Sequence, residues 1–444
     1  MFIMPTKIDF IGSNTKRCLM AMALPMIAAM FLNMMYNLVD SLWIGNLLGE
    51  TAYAALTNST PIILILTSVA MGATNGVSIL LSQAIGAKDK KKTESLISTS
   101  FFVAVAFSIL VTILLEVFLP GILKVLNTPA ETYDMAYSYL AIYILGYLAV
   151  YLYLYFTAVL RSFGNSMFQA VAMLVSTIMN AILDPIFIHF IGFHGAAIAT
   201  LLSQAICLLF MLIYLKKKKL FKFKISAFDK NEVLLLIQKA IPSIIQQSIP
   251  AISTTFLTAL VSTYSVTAIA AYGVTGKLET ILFYPAMALN MVLTTIIGQC
   301  IGGARYDRAK DYLKCALGYG CGLLVILSVL VVGFSKQLSG LFVKSGDVAA
   351  IVGTYFLIVS VGYILNTITN CYLGALNGMG KPSKSMFLMI FYYIVVRMPL
   401  AYLLSYLGFG LNGIWVAVLV SHLVASVAAG ISGTVSFKNR TSTT

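Results

Sequence analysis

The sequence predicts an all-α integral membrane protein, with twelve transmembrane helices in two six-helix bundles related by a pseudo-two-fold axis along the membrane normal. Three observations carry that expectation: a composition too apolar for a soluble chain, twelve separate apolar runs of spanning length, and short motifs that recur at one offset. The 444 residues are 60% hydrophobic and only 10% charged, where a soluble domain carries roughly 25% charged residues. A soluble fold this apolar would have too little polar side chain to cover its surface.

A hydrocarbon core about 30 Å thick takes around 20 helical residues to cross. Runs of that length predict spans near 18–43, 54–84, 96–119, 135–159, 166–189 and 194–215 in the first half. The second half offers 236–263, 277–302, 314–334, 350–376, 386–407 and 412–435. No run shows the strict alternation of a β-barrel, so helices are the backbone solution that satisfies its own polar groups in lipid. Lys7, Lys16 and Arg17 precede the first run without a small-residue cleavage site, so that helix is expected to be retained.

The loops between these runs orient the chain. With the N-terminus cytoplasmic, 23 of the 29 basic residues fall in inside loops and termini, among them Lys88, Lys90 to Lys92, Lys216 to Lys219, Lys222 and Lys224. Outside loops hold three, Lys124, Lys336 and Lys344; the remaining Lys239, Lys277 and Arg397 lie in or at the ends of helices. This bias places both termini in the cytoplasm and independently supports an even number of spans. It also explains the net charge of +14 without a nucleic-acid partner. The six cysteines have neither disulfide nor metal spacing and are read as small packing residues.

The halves repeat. Gln83-Ala-Ile-Gly86 after the second run matches Gln299-Cys-Ile-Gly302 after the eighth, an offset of 216. Leu160-Arg-Ser-Phe-Gly164 matches Leu376-Asn-Gly-Met-Gly380, and Gly192-Phe193 matches Gly408-Phe409, at that same offset. Ala23-Leu-Pro25 matches Ala240-Ile-Pro242 one residue further on. Six spans per half make the repeats parallel, and two like bundles across a cleft suit rocking-type alternating access. The expected organisation is therefore an N-terminal lobe over 1–215, a basic cytoplasmic linker over 216–235, and a C-terminal lobe over 236–444. No phosphate-gripping Gly-Lys loop is present to couple ATP, which points to a secondary transporter.

Acidic residues inside apolar runs narrow the chemistry. Asp40 in the first helix and Asp184 in the fifth stand well within theirs, where a charged aspartate costs about 2.5–3.5 kcal/mol. Each lies 23 residues beyond an inner arginine, Arg17 and Arg161 respectively, which puts both at one height in the outer part of the lobe. Tyr36 with Asp40, and Asn180 with Asp184, share helix faces at i, i+4 spacing. Thr200 and Tyr139 fall at a similar depth. Carboxylates, an amide and hydroxyls in one dry place form a candidate site for a proton or a monovalent cation. Pro25 removes a helix hydrogen bond early in the first helix and makes it a candidate moving part. Asn33, Met34, Met173, Gln246, Gln247 and Asn366 are candidate substrate contacts in the cleft. In the second half, Glu279 beside Lys277 reads as a local ion pair at a helix start, Arg397 as a packing residue and His422 as a hydrogen-bonded one. Buried negative charge is then expected in the first lobe alone.

The run Ala23-Leu-Pro25 through Tyr36-Asn-Leu-Val-Asp40, with Gly45-Asn-Leu-Leu-Gly49, resembles the opening of the multidrug and toxic compound extrusion (MATE) family. Leu160-Arg-Ser-Phe-Gly164, Asn180-Ala-Ile-Leu-Asp184, Gly195-Ala-Ala-Ile-Ala-Thr200 and Arg397-Met-Pro-Leu-Ala-Tyr402 extend the resemblance over nearly the whole chain. It implies a proton- or sodium-coupled antiporter that exports organic, mostly cationic or apolar, compounds. The family's ion site in the N-terminal lobe falls on Asp40, Asp184, Asn180 and Thr200, with tyrosines at Tyr36 and Tyr139. Where another branch places acids in the seventh and tenth helices, this chain has Gln246, Asn366 and Asn370, which favours an N-lobe site. The resemblance implies no cofactor beyond the coupling ion, and a monomer in the plasma membrane that handles small organic substrates. A lipid-linked oligosaccharide or polysaccharide flippase of the same superfamily is the alternative, although the deeply placed charges of the first half are acidic rather than basic. A membrane-embedded enzyme is disfavoured because no metal or nucleophile motif occurs.

Overall fold

The computed structural model describes residues 8–126, 128–218 and 224–441; Lys7, Lys219 and Lys222, used above for orientation, lie outside the described residues. Every regular element among the described residues is helical. The first three spans are Thr15–Leu48, Glu50–Gly86 and Lys90–Val125. The fourth consists of two helices, Ala130–Leu145 and Tyr147–Ser162, bent by 48°. Met167–Ile191 and Phe193–Lys218 complete the first six. The second half runs through Lys230–Ser262, Val266–Gly302, Tyr306–Gly333 and Gly346–Gly378 as spans seven to ten. The eleventh is assembled from Pro382–Ile390, a π-helical turn Phe391–Arg397 and Met398–Leu404; a second π-turn, Ser405–Phe409, leads into the twelfth, Gly410–Thr441. Nine of the described helices are unbroken and apolar enough to cross a membrane, and the bent pair makes a tenth span. The 58-residue stretch Pro382–Asn439 is long enough for two more and is broken at Gly408 and Gly410, whose φ are 86° and 61°. The chain is thus a twelve-span, all-α membrane protein.

Local chemistry sets the ends of these helices. Asn14 and Asp89 accept hydrogen bonds from the backbone of Arg17 and Lys92 at the starts of spans one and three. Ser265 does the same for Ala268 at the start of span eight. Such caps satisfy amides that the first helical turn leaves without partners. Several spans outrun the apolar stretches that predict them, and span eight does so furthest at a single end. It begins at Val266 rather than near 277, because Ser265 caps it there and nothing between Ser265 and Lys277 interrupts the helix. Span one passes through Pro25 as a continuous helix.

The duplication is written into the backbone as well as the sequence. Lys88 and Ala304, 216 residues apart, have φ of 57° and 55°. Gly164 and Gly380 have 84° and 76°, and Gly192 and Gly408 have 69° and 86°, at that same spacing. Each half buries its own apolar core. One is built around Tyr139, Tyr147, Tyr155 and Phe168, the other around Tyr355, Phe356, Tyr363 and Trp415. A third cluster joins Phe10, Leu19 and Met22 at the start of the chain to Leu289, Ile296 and Leu376 in the second half. The lobes therefore meet chiefly on the side of the molecule that carries both termini.

Candidate functional site

Spans one and five lie against each other, and Asp40 and Asp184 come together between them. Asp40 lies two turns before the end of span one at Leu48, and Asp184 two turns before Ile191. Both are on the side away from the termini, and both are buried, at 8% and 0% exposure. Their carboxyl groups are within hydrogen-bonding reach of one another. Asn180, fully buried, donates from Nδ2 to Asp184 Oδ1 at 2.8 Å. Four oxygens around this pair find no partner: Asp40 Oδ1, Asp184 Oδ2, Asn180 Oδ1 and Thr200 Oγ1. An acceptor cluster left unsatisfied in a dry site is costly, and two carboxylates this close cannot both stay ionised there without a cation between them.

The walls are aromatic and hydroxylic. Tyr36 Oη lies 3.1 Å from Ser203 Oγ and beside the Thr200 hydroxyl. Tyr139 is buried in the same part of the lobe, close enough to feel the charge of both acids, with its ring 5.2 Å from that of Phe193. The structure thus brings Tyr36, Asp40, Tyr139, Asn180, Asp184 and Thr200 into one place. Ser203 is the residue that the sequence reading misses. It sits one turn beyond Thr200 on the same face and donates to the Thr200 carbonyl at 2.9 Å, so helical spacing alone could have found it.

The six cleft candidates are not gathered in this way. Met173 packs with Tyr36, Ala29 and Ala170 between spans one and five, about three turns from Asp184 towards the termini. Asn33 is exposed and accepts from Asn37, while Met34 Sδ accepts from Thr280 across the lobes at 3.2 Å. Gln246 turns into its own lobe, where its Oε1 accepts from Asn377 Nδ2 at 3.3 Å. Gln247 is half-buried one residue further along. Asn366 Oδ1 accepts from Asn370, which in turn accepts from Asn290.

Two expectations are corrected in the second lobe. Glu279 does not pair with Lys277. Its Oε1 accepts from Tyr355 at 2.6 Å and from Tyr363 at 2.9 Å, while Lys277 donates to Tyr53 of the first lobe at 3.3 Å. The reason is the early start of span eight: Glu279 lies more than three turns inside the helix and faces span ten. Negative charge inside the protein is therefore not confined to the first lobe. Arg397 closes the π-turn of span eleven and donates to Ser421 at 2.9 Å and to Tyr392 at 2.5 Å. It also lies 3.2 Å from His422 Nε2, and its guanidinium stacks over Tyr392 and Tyr393. Both Arg397 and His422 are engaged with neighbouring helices, as a packing role requires.

Twelve spans in two like lobes, one of them enclosing a buried carboxylate pair, are the architecture of a polytopic membrane transporter. The model of the MatE family matches residues 25–186 and again residues 242–403, one match in each half, and the chain belongs to that family. It is 28% identical over 95% of both chains to a probable multidrug resistance protein, YpnP, of Bacillus subtilis (strain 168). It is 26% identical, over 93% of each, to a protein of Shewanella oneidensis named as an FAD transporter. Among solved structures, the outward-facing conformation of a multidrug resistance MATE family transporter matches with a TM-score of 0.93 at 21% identity, covering 98% of this chain and 99% of that one.

Proposed function

We propose that the protein is a cation-coupled antiporter of the plasma membrane that exports organic, mostly cationic or apolar, compounds by alternating access. Both termini and the lysine-rich loops face the cytoplasm, as the positive-inside bias requires. The coupling ion, a proton or alternatively sodium, is taken up at Asp40 and Asp184. Asn180 and Thr200 complete the oxygen shell, and Tyr36 and Tyr139 close it from bulk water. The observation that supports this reading is a buried cluster of Asp40, Asp184, Asn180 and Thr200 in which each residue keeps one oxygen without a protein partner. A cation or proton satisfies those oxygens; its departure leaves two like charges facing each other, and repulsion then favours a different arrangement of spans one and five. Met173, Met34 and the aromatic wall supply deformable, polarizable surface suited to varied cargo.

The relative named as an FAD transporter supports an anionic cargo as a second reading. Efflux assays settle the choice. In inside-out vesicles, accumulation of a fluorescent organic cation should follow an imposed proton gradient, or a sodium gradient if sodium is the ion. Asp40→Asn and Asp184→Asn should each lower gradient-driven transport at least tenfold. Undiminished transport in both variants would refute the coupling assignment, and uptake of flavin nucleotides alone would favour the second reading.

A further inference from the structure

The motif Gln-x-Ile-Gly recurs once in each half, and the two copies meet. Gln83 in span two donates from Nε2 to the carbonyl of Gly378, the last residue of span ten, at 2.8 Å. Gln299 in span eight donates to the carbonyl of Ser162, the last residue of span four, at 2.6 Å. Since 216 residues separate Gln83 from Gln299, and equally Ser162 from Gly378, this is one contact made twice about the pseudo-two-fold axis. Each accepting carbonyl belongs to the final turn of a helix, where the helix itself supplies no donor. Each lobe thus caps a helix end of the other.

The glycines complete the fit. A Cβ built on Gly86 would stand 2.0 Å from the Gln299 carbonyl oxygen, and one built on Gly302 would stand 2.0 Å from that of Gln83. Both obstacles are backbone, which cannot swing aside, so only glycine at these two positions lets spans two and eight approach this closely. Within the second lobe, Lys239 donates to the Gly380 carbonyl at 2.7 Å and fixes the turn that follows span ten. Two longer buried contacts cross nearer the middle, Asn75 to Ser243 at 3.5 Å and Ser78 to Thr295 at 3.4 Å. Near the opposite mouth, by contrast, the side-chain hydrogen bonds between lobes among the described residues are Lys277 to Tyr53 and Thr280 to Met34, and they involve partly exposed groups.

We infer that Gln83 and Gln299, seated on Gly302 and Gly86, form a two-fold latch that holds the cytoplasmic side of the cleft shut and so sets the balance between the two access states. This rests on the alternating-access reading, but not on which ion drives it. When the cytoplasmic side opens, both amides and both helix-end carbonyls exchange protein partners for water. A net hydrogen bond is a modest bias, so losing one glutamine should shift the closed-to-open ratio roughly fivefold. The two copies should act alike.

Hydrogen–deuterium exchange of the full-length protein in nanodiscs, without cargo or gradient, tests the latch. In Gln83→Ala/Gln299→Ala, exchange should rise in segments 81–89, 158–166, 297–305 and 374–382. It should fall near the opposite mouth, around residues 45–58 and 262–280, because opening one side closes the other. Gly86→Ala should shift exchange in that direction with both glutamines intact, since it wedges the seam apart. A rise on both sides would mean plain destabilisation and would overturn the inference, as would an unchanged pattern in the double variant. Repeating the measurement on Asp40→Asn/Asp184→Asn keeps the two ideas separable: the opposite-signed shift should persist there even if coupling is lost.

Discussion

The two lobes share one backbone plan and yet finish their interiors in opposite ways. In the first, the buried acids are left short: Asp40 and Asp184, with Asn180 and Thr200 beside them, each keep one oxygen without a donor. In the second, the charges are provided for, with two tyrosine hydroxyls on Glu279 and three polar neighbours on Arg397. Even equivalent residues serve differently. Tyr139 and Tyr355 are 216 apart, as are Tyr147 and Tyr363. In the second lobe both donate to one carboxylate, whereas in the first Tyr147 donates to the Leu66 carbonyl and Tyr139 lies close to the acid pair. A satisfied network holds helices together; in the first lobe the proposed coupling ion would supply what the protein leaves unpaired.

That contrast predicts a crossed pattern of damage. Asp184→Asn should cost transport heavily and stability little, because it removes one of two like charges from a dry site. Arg397→Met should do the reverse. It strips Ser421, Tyr392 and His422 of a shared donor and leaves Glu279 without its nearby countercharge, at a cost of about 3 kcal/mol. Thermal unfolding in detergent, followed by fluorescence-detected size exclusion, reads the stability arm, and vesicle efflux reads the other. If Arg397→Met kept its melting temperature and lost transport, the second lobe would be a working site and the contrast would fail.

Glu279→Gln is the finer probe. Both tyrosines donate to one oxygen, which the amide keeps, so only the charge is lost; a cost of about 1.5 kcal/mol is expected, in line with hydrogen bonds to charged groups. Transport measured at equal folded protein should stay within twofold of wild type. A tenfold loss at unchanged stability would make Glu279 a participant in transport.

Much of this architecture is legible in the residues themselves. Apolar runs, loop lysines and repeated motifs need only length and charge to be read, and the Asp40–Asp184 pairing follows from two helices of like direction with acids at like depth. Glu279 is misread for an identifiable reason. Hydropathy treats Lys277 and Glu279 as the polar start of a helix, whereas the cap at Ser265 lies further back and carries both inside it. The π-turns at Phe391–Arg397 and Ser405–Phe409 leave no mark in the apolar pattern, since an inserted residue in a helix changes register without changing composition.

The bend in span four supplies the smallest test of how one glycine serves two lobes. Gly146 and Gly362 are equivalent at the 216 offset, yet span four breaks at the first and span ten runs straight through the second. A Cβ on Gly362 would come within 2.9 Å of the His422 ring. That ring is fully buried and tied to Tyr392 and Arg397, so it cannot retreat, and Gly362→Ala should destabilise by about 2 kcal/mol through overpacking. On Gly146 the Cβ would meet Leu201 Cδ2 at 1.8 Å, a closer clash but with the free end of a flexible side chain that can change rotamer. Alanine also favours helix over glycine by about 1 kcal/mol. Gly146→Ala should therefore fall within about 1 kcal/mol of wild type, the helical gain offsetting the cost of moving Leu201. Paired melting curves decide it: a larger loss at Gly146 than at Gly362 would mean that the rigidity of the second lobe does not come from the Arg397–His422 network.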